Sequence, residues 1–147
     1  MLIKLLPEQV GLFWDGIRSS LIAVNSIPEN LTQDYSIIML KEILLGNIQC
    51  WVMYEVIDSG EKEIYGIGTT QIIDGATFGV RMLRLNSIFG LRPISDEQMA
   101  DATNVIIEYA KANKCTAIET YTNHPRAKYH ALKNNYVEHQ TVYRRYF

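Results

Sequence analysis

The sequence is poor in several features that would narrow its role at once. Its two cysteines, Cys50 and Cys115, lie on separate apolar segments with no second Cys or His at metal-ligand spacing, so they read as small core residues and no metal is expected. No apolar run reaches the ~18 residues needed to span a bilayer, and the apolar start Met1 to Pro7 is too short for a signal segment. An excess of one charge is also missing. A net charge of −2 excludes general attraction to nucleic acid or anionic membranes. The one basic pair, Arg144 and Arg145, reads as solvated charge on an edge strand. Glycine is absent where it would matter most, in Arg92-Pro93-Ile94-Ser95-Asp96-Glu97, which joins a predicted strand to a predicted helix. A loop that cradles phosphate needs backbone N–H groups at a helix start, with no side chain or negative charge in the way. This loop starts its helix with two carboxylates.

What is present describes an ordinary folded chain. The length of 147 residues is that of one domain, 1–147, and 48% hydrophobic with 20% charged residues is enough for a core and too apolar for disorder. No internal repeat or low-complexity linker interrupts it. A cytoplasmic, reduced setting is expected, which makes the sequon Asn30-Leu31-Thr32 a chance match.

Leu2 to Leu6 is a short strand candidate. Pro7-Glu8 then opens a helix in which Val10, Phe13, Trp14, Ile17, Leu21 and Val24 recur at helical spacing, ended by Asn25 to Pro28. A second helix is predicted from about Asp34, with Ile37, Leu40 and Leu44 on one face and Gly46-Asn47 as its stop. From Ile48 the period becomes two, and the turn at Asp58 to Glu61 predicts a hairpin partner over Glu63 to Ile73. Asp74-Gly75 leads into a third strand, Thr77 to Phe89. Ser95 and Gln98 make a capping-box pattern ahead of the stripe Met99, Ala102, Val105, Ile106 and Tyr109. Thr116 to Thr122 is a strand candidate, Pro125 to Asn134 a helix, and Val137 to Phe147 is β-prone.

Few residues offer chemistry. Of the histidines His124, His130 and His139, the first precedes a proline and the second sits mid-helix, so a cap and a surface residue are expected rather than a catalytic pair. Glu119 is the best-placed general base, although an alternating strand sends a charge to its polar face by default. Gly66-x-Gly68 reads as thin positions where the strand bends or an aromatic packs over it.

The order strand, two helices, three antiparallel strands, helix, strand, helix, strand resembles the GNAT acyltransferase superfamily, most closely from Thr77 to Phe147. The resemblance implies an α/β (α+β) fold with a mixed, mostly antiparallel central sheet flanked by about four helices. It also implies a loop of the form Gln/Arg-x-x-Gly-x-Gly/Ala holding the pyrophosphate of acetyl-CoA. Arg92 matches the leading basic position and is the candidate cofactor contact, while Ser95 and Glu97 replace the two glycines. Ala131-Leu132-Lys133-Asn134-Asn135-Tyr136 aligns with the family's Tyr-x-Lys-x-Gly-Phe. Ala131 stands where the family's tyrosine protonates the departing thiolate, and Tyr129, two residues earlier and about 200° round the helix, is a candidate for that role only if the register slips. Asn135 replaces a glycine in a left-handed turn that Asn tolerates.

A carboxylate on the first helical turn uses the field that attracts phosphate and repels an incoming anion. The reading that follows is a GNAT-like fold without a bound cofactor, serving as a non-catalytic structural or binding module with a protein partner or as a homo-oligomer. It is similar to small GNAT-like proteins of tailed bacteriophages, some of them virion components, which would place it in the host cytoplasm or the virion. Nine tyrosines and the tail Tyr143, Tyr146 and Phe147 suit a partner-contacting edge. The alternative is a divergent N-acyltransferase that binds acetyl-CoA through Arg92 and the backbone of Leu85 to Gly90, with Glu119 or a water as base. A third is an inhibitor or regulator that binds another protein through the same edge.

Overall fold

The computed structural model describes residues 1–75, 79–122 and 124–138. The expected start of the third strand at Thr77 and Phe78, His139, and the tail with Tyr143 to Phe147 lie outside them. Among the described residues five strands form one sheet in the order β1-β2-β3-β4-β5: β1 (Leu2–Lys4), β2 (Ile48–Val56), β3 (Lys62–Asp74), β4 (Arg81–Gly90) and β5 (Ala117–Thr120). The pairs β1–β2, β2–β3 and β3–β4 are antiparallel and β4–β5 is parallel, so the sheet is mixed and mostly antiparallel as expected. The described residues add four α-helices: α1 (Pro7–Asn25), α2 (Thr32–Leu44), α3 (Asp96–Ala112) and α4 (Pro125–Lys133).

At α1 and α3 local chemistry supplies the start. At α1, Pro7 takes the first helical position and the side chain of Gln9 accepts the Leu6 N–H at 2.9 Å. At α3, Ser95 Oγ accepts the Gln98 N–H at 3.1 Å while Gln98 Oε1 accepts the Ser95 N–H at 3.0 Å, the capping box read from the sequence. Stops are equally local. Ser26, Lys114 and Asn135 all adopt left-handed backbone, the last at φ 63°, as expected of its position.

The period-two pattern of β2 divides its side chains between two cores. Ile48, Cys50 and Val52 join Val10, Ile17, Leu21 and Ile43 under α1 and α2. Trp51 and Met53 face α3, where Ala102, Ile106 and Ala110 are buried. Burial on both faces explains why four consecutive residues, Cys50 to Met53, are all buried. Burial also pushes the Cys50 thiol up to about 12, so it stays neutral and unreactive.

Three packing expectations are corrected. Val24 and Val105, expected in the buried stripes of α1 and α3, are exposed. In α2, Ile37 and Leu44 are exposed and the buried positions are Ser36 and Ile43, a stripe rotated by one residue. Ser36 Oγ accepts a hydrogen bond from Arg18 Nε at 3.0 Å, a polar contact between α2 and α1 on that buried face. His130, expected at the surface, is only 6% exposed.

Candidate functional site

The sheet opens beside β4. Parallel pairing with β5 runs from Met82–Ala117 to Leu85–Thr120, after which β4 continues to Gly90 against β3 alone among the described strands. A bulge inserts Asn86 at that point, between the Thr70–Leu85 and Thr69–Ser87 pairs. The loop after β4 leads to the start of α3. It is tightly folded: a Cβ on Gly90 would lie 2.8 Å from the Arg92 carbonyl oxygen.

Arg92, the candidate cofactor contact, points to a different partner. Its guanidinium pairs with Glu55 on β2 and lies over the Tyr65 ring, 4.7 Å from the centroid. Gln98 Nε2 donates to the same carboxylate at 3.3 Å. Burial, and then the Glu55 charge, push the Tyr65 hydroxyl up, with Arg92 acting the other way.

Asp96, the first residue of α3, carries a polar cluster. Its Oδ2 accepts from Lys133 Nζ at 2.5 Å and from the Tyr129 hydroxyl at 3.2 Å, both on α4. Its Oδ1 lies 3.6 Å from His130 Nδ1. The Lys133 hydrogen bond, then that of Tyr129 and the nearby positive charges, hold the Asp96 carboxyl below the usual carboxylate range against the opposing effect of burial. Asp96 in turn holds the Lys133 ammonium above the usual lysine range. Arg126 adds a second tie between α4 and this loop, donating to the Ile94 carbonyl at 2.7 Å. An anion already occupies the start of α3, and it is the protein's own. Glu97, the other acid of that turn, is exposed.

The remaining candidate, Glu119, is on β5. Arg84 of β4 holds it at 2.6 Å and stacks over the Tyr121 ring, 5.0 Å from its centroid. A carboxylate paired in this way is poorly placed to take a proton from a substrate. The structure thus brings Tyr129 to Asp96, Arg92 to Glu55 and Glu119 to Arg84. These three groups share no hydrogen bond or ion pair among the described residues. His124 occupies the N-cap position of α4 by its backbone alone. Sequence reading missed Glu55 and His130, and a signal existed only for the second: His130 lies three residues before Lys133, on the same side of α4.

Gly66 meets a side chain as expected, but a methionine: a Cβ there would lie 2.7 Å from Met53 Cε. Between the sheet and α3 is an apolar cavity of about 40 Å³ lined by Trp51, Leu85, Met99, Thr103, Ile106 and Tyr136. That is far below the ~300–1,000 Å³ of cofactor-sized sites. Asp96 stands at the start of α3, held by Lys133, and Arg92 is paired with Glu55. Among the described residues no group of three or more His, Cys, Asp or Glu could hold a metal ion, and no helix is long and apolar enough to cross a membrane.

Element order, sheet topology and the opening beside β4 are those of the GNAT acetyltransferase fold, and solved structures agree. A predicted acetyltransferase of Clostridium acetobutylicum with acetyl-CoA superposes with TM-score 0.70 at 11% identity, over 99% of this chain and 95% of its own. The ribosomal-protein-alanine N-acetyltransferase of Brucella melitensis biovar Abortus gives 0.67 at 13% identity, over 100% and 99%. An acetyltransferase of Trypanosoma brucei gives 0.64 at 13% identity, over 100% and 99%. No family model and no curated protein matches the sequence.

Proposed function

We propose that this chain uses the acetyltransferase fold as a non-catalytic binding module for a protein partner, either another protein or a second copy of itself. The observation that carries this reading is the Asp96 carboxylate, held by Lys133 and Tyr129 at the helix end where an anionic cofactor would be received. A side-chain anion there satisfies the helix dipole and repels a second anion. Exposed Leu12, Ile37, Ile38, Leu44 and Leu45 on and beside α1 and α2 are apolar surface of the kind that partners cover. A virion role, resting on the resemblance to bacteriophage proteins, is one form of this reading, and tail or portal genes beside this one would support it.

Isothermal titration with acetyl-CoA tests the proposal: no heat of binding is expected at micromolar concentrations. Micromolar binding that Arg92→Ala abolishes would overturn it. Light scattering after size exclusion should then report a homo-oligomer or, with its partner supplied, a complex.

The second reading is a divergent acetyl-CoA-dependent N-acyltransferase. It is favoured by the likeness to acetyltransferases, one of them solved with acetyl-CoA, and by β4 outrunning β5. It requires Asp96 to leave Lys133 and Arg92 to leave Glu55. Release of free CoA in the presence of an amine would establish it.

A further inference from the structure

Helix α2 carries apolar residues on two sides. Ser36 and Ile43 are buried, with Tyr35, Met39 and Leu40 packed against the core beside them. Ile37, Ile38, Leu44 and Leu45 turn outward and are all more than half exposed. At about 100° per residue these four fall within about 120° of one another, on the far side of the helix from Ser36 and Ile43. A helix that is apolar on both sides belongs in an interior, so a partner is expected to cover the outer face. Two charges sit in the middle of that face, Asp34 and Lys41, both exposed. They lie about 10 Å apart along the helix axis, too far to pair with each other. Neither side chain has a hydrogen-bond or ion-pair partner among the described residues.

We infer that this face binds the same face of a second copy of the chain, across a two-fold axis that passes between Ile37 and Ile38. This names the partner that the binding-module reading calls for, and rests on that reading. The two charges select both the partner and its direction. A two-fold axis perpendicular to α2 sets the two helices antiparallel and exchanges each position with the one equally far along on the other side of the axis. Asp34 and Lys41 are equally far from the point between Ile37 and Ile38. The axis that seats Ile37 against the partner's Ile38 therefore also brings Asp34 to the partner's Lys41, and Lys41 to the partner's Asp34. One arrangement covers the apolar centre and pairs both charges, whereas a parallel arrangement would set like charges together. Leu44 and Leu45 extend the apolar contact at either end, and the ion pairs supply direction more than affinity. Helix α2 packs on the opposite side of β2 from α3, so this interface leaves Asp96 and its partners untouched.

Sedimentation equilibrium of the full chain at micromolar concentration should give twice the mass of one chain. Ile38→Glu should give a monomer with unchanged circular dichroism, since that side chain is exposed. Asp34→Lys sets like charges together on both sides of the axis and should weaken the dimer about tenfold or more. Adding Lys41→Asp should recover most of that loss, because the pair re-forms with its signs exchanged. A wild type that stays monomeric overturns the inference, as does a dimer that Ile38→Glu and Asp34→Lys leave intact, or a double variant no stronger than Asp34→Lys alone. Should Ile38→Glu fail to fold, the charge exchange decides. Titration with acetyl-CoA separates the two readings. A monomer that binds no acetyl-CoA overturns this dimer and leaves the binding module with another protein as its partner. A dimer of the expected behaviour that binds acetyl-CoA and releases free CoA in the presence of an amine upholds the α2 interface and overturns the non-catalytic reading.

Discussion

Lys133 Nζ lies 2.5 Å from Oδ2 of Asp96, joining the last turn of α4 to the first residue of α3 across 37 positions of sequence. The pair has a charge-dependent window. The Asp96 carboxyl is held below its ordinary 3.8, so its contribution is present above that pH and lost as pH falls through the lowered value. The Lys133 ammonium is held above its ordinary 10.5, so its contribution is present below that pH and lost as pH rises through the raised value. Lys133→Met should therefore lower the unfolding midpoint between roughly pH 5 and 9 and change it less towards either extreme. Thermal unfolding across pH 2 to 11 checks this, and added salt should shrink the mid-range effect because both groups are well exposed.

Removing the carboxylate should open the helix end to anions. Asp96→Ser keeps a small side chain and leaves Lys133, Tyr129 and the α3 dipole without their anion. Acetyl-CoA binding by calorimetry should then strengthen by about tenfold or more, corresponding to ~1.4 kcal/mol. An unchanged titration would mean that the shape of the loop, and not Asp96, excludes the cofactor.

Two glycines should respond differently to alanine. At Gly90 the new Cβ meets backbone, the Arg92 carbonyl oxygen at 2.8 Å, and Ile94 at 3.3 Å, so the loop into α3 must move. Gly90→Ala should cost about 1–3 kcal/mol in urea unfolding. At Gly66 the Cβ meets the end of Met53, a side chain with three rotatable bonds, and the cost should be smaller. Equal losses would contradict the distinction between backbone and side-chain obstruction.

The Trp51 indole N–H donates to Thr70 Oγ1 at 2.9 Å inside the core, and the Thr70 hydroxyl in turn donates to Gln49 Oε1 at 3.0 Å. Thr70→Val keeps the shape and leaves the indole unpaired. Destabilisation of about 1–3 kcal/mol is expected. Urea unfolding followed by tryptophan fluorescence measures it.

Much of the fold was legible in the sequence because its signals are local. Pro7 at a helix start, Ser95 with Gln98 and the change to period two at Ile48 each depend on a few neighbouring residues, while the left-handed position of Asn135 is what the family resemblance implies. The misplaced side chains have a common cause. Ile37, Leu44 and Val24 satisfy helical spacing as well as Ile43 does, and only packing selects among adjacent apolar stripes. For His130, helix periodicity gives a face but not what covers that face.

The candidate site divides the same way. Sequence alone determined that the loop after β4 has no phosphate-binding glycines and that two acids start α3, since both are matters of residue type at consecutive positions. Only the tertiary structure decided what those residues do: Asp96 is claimed by Lys133 and Tyr129, Arg92 by Glu55, and Glu119 by Arg84. Each of these pairings joins residues 33 to 37 positions apart. A charge takes the opposite charge that folding brings within a few ångströms, and no spacing along the chain records that choice.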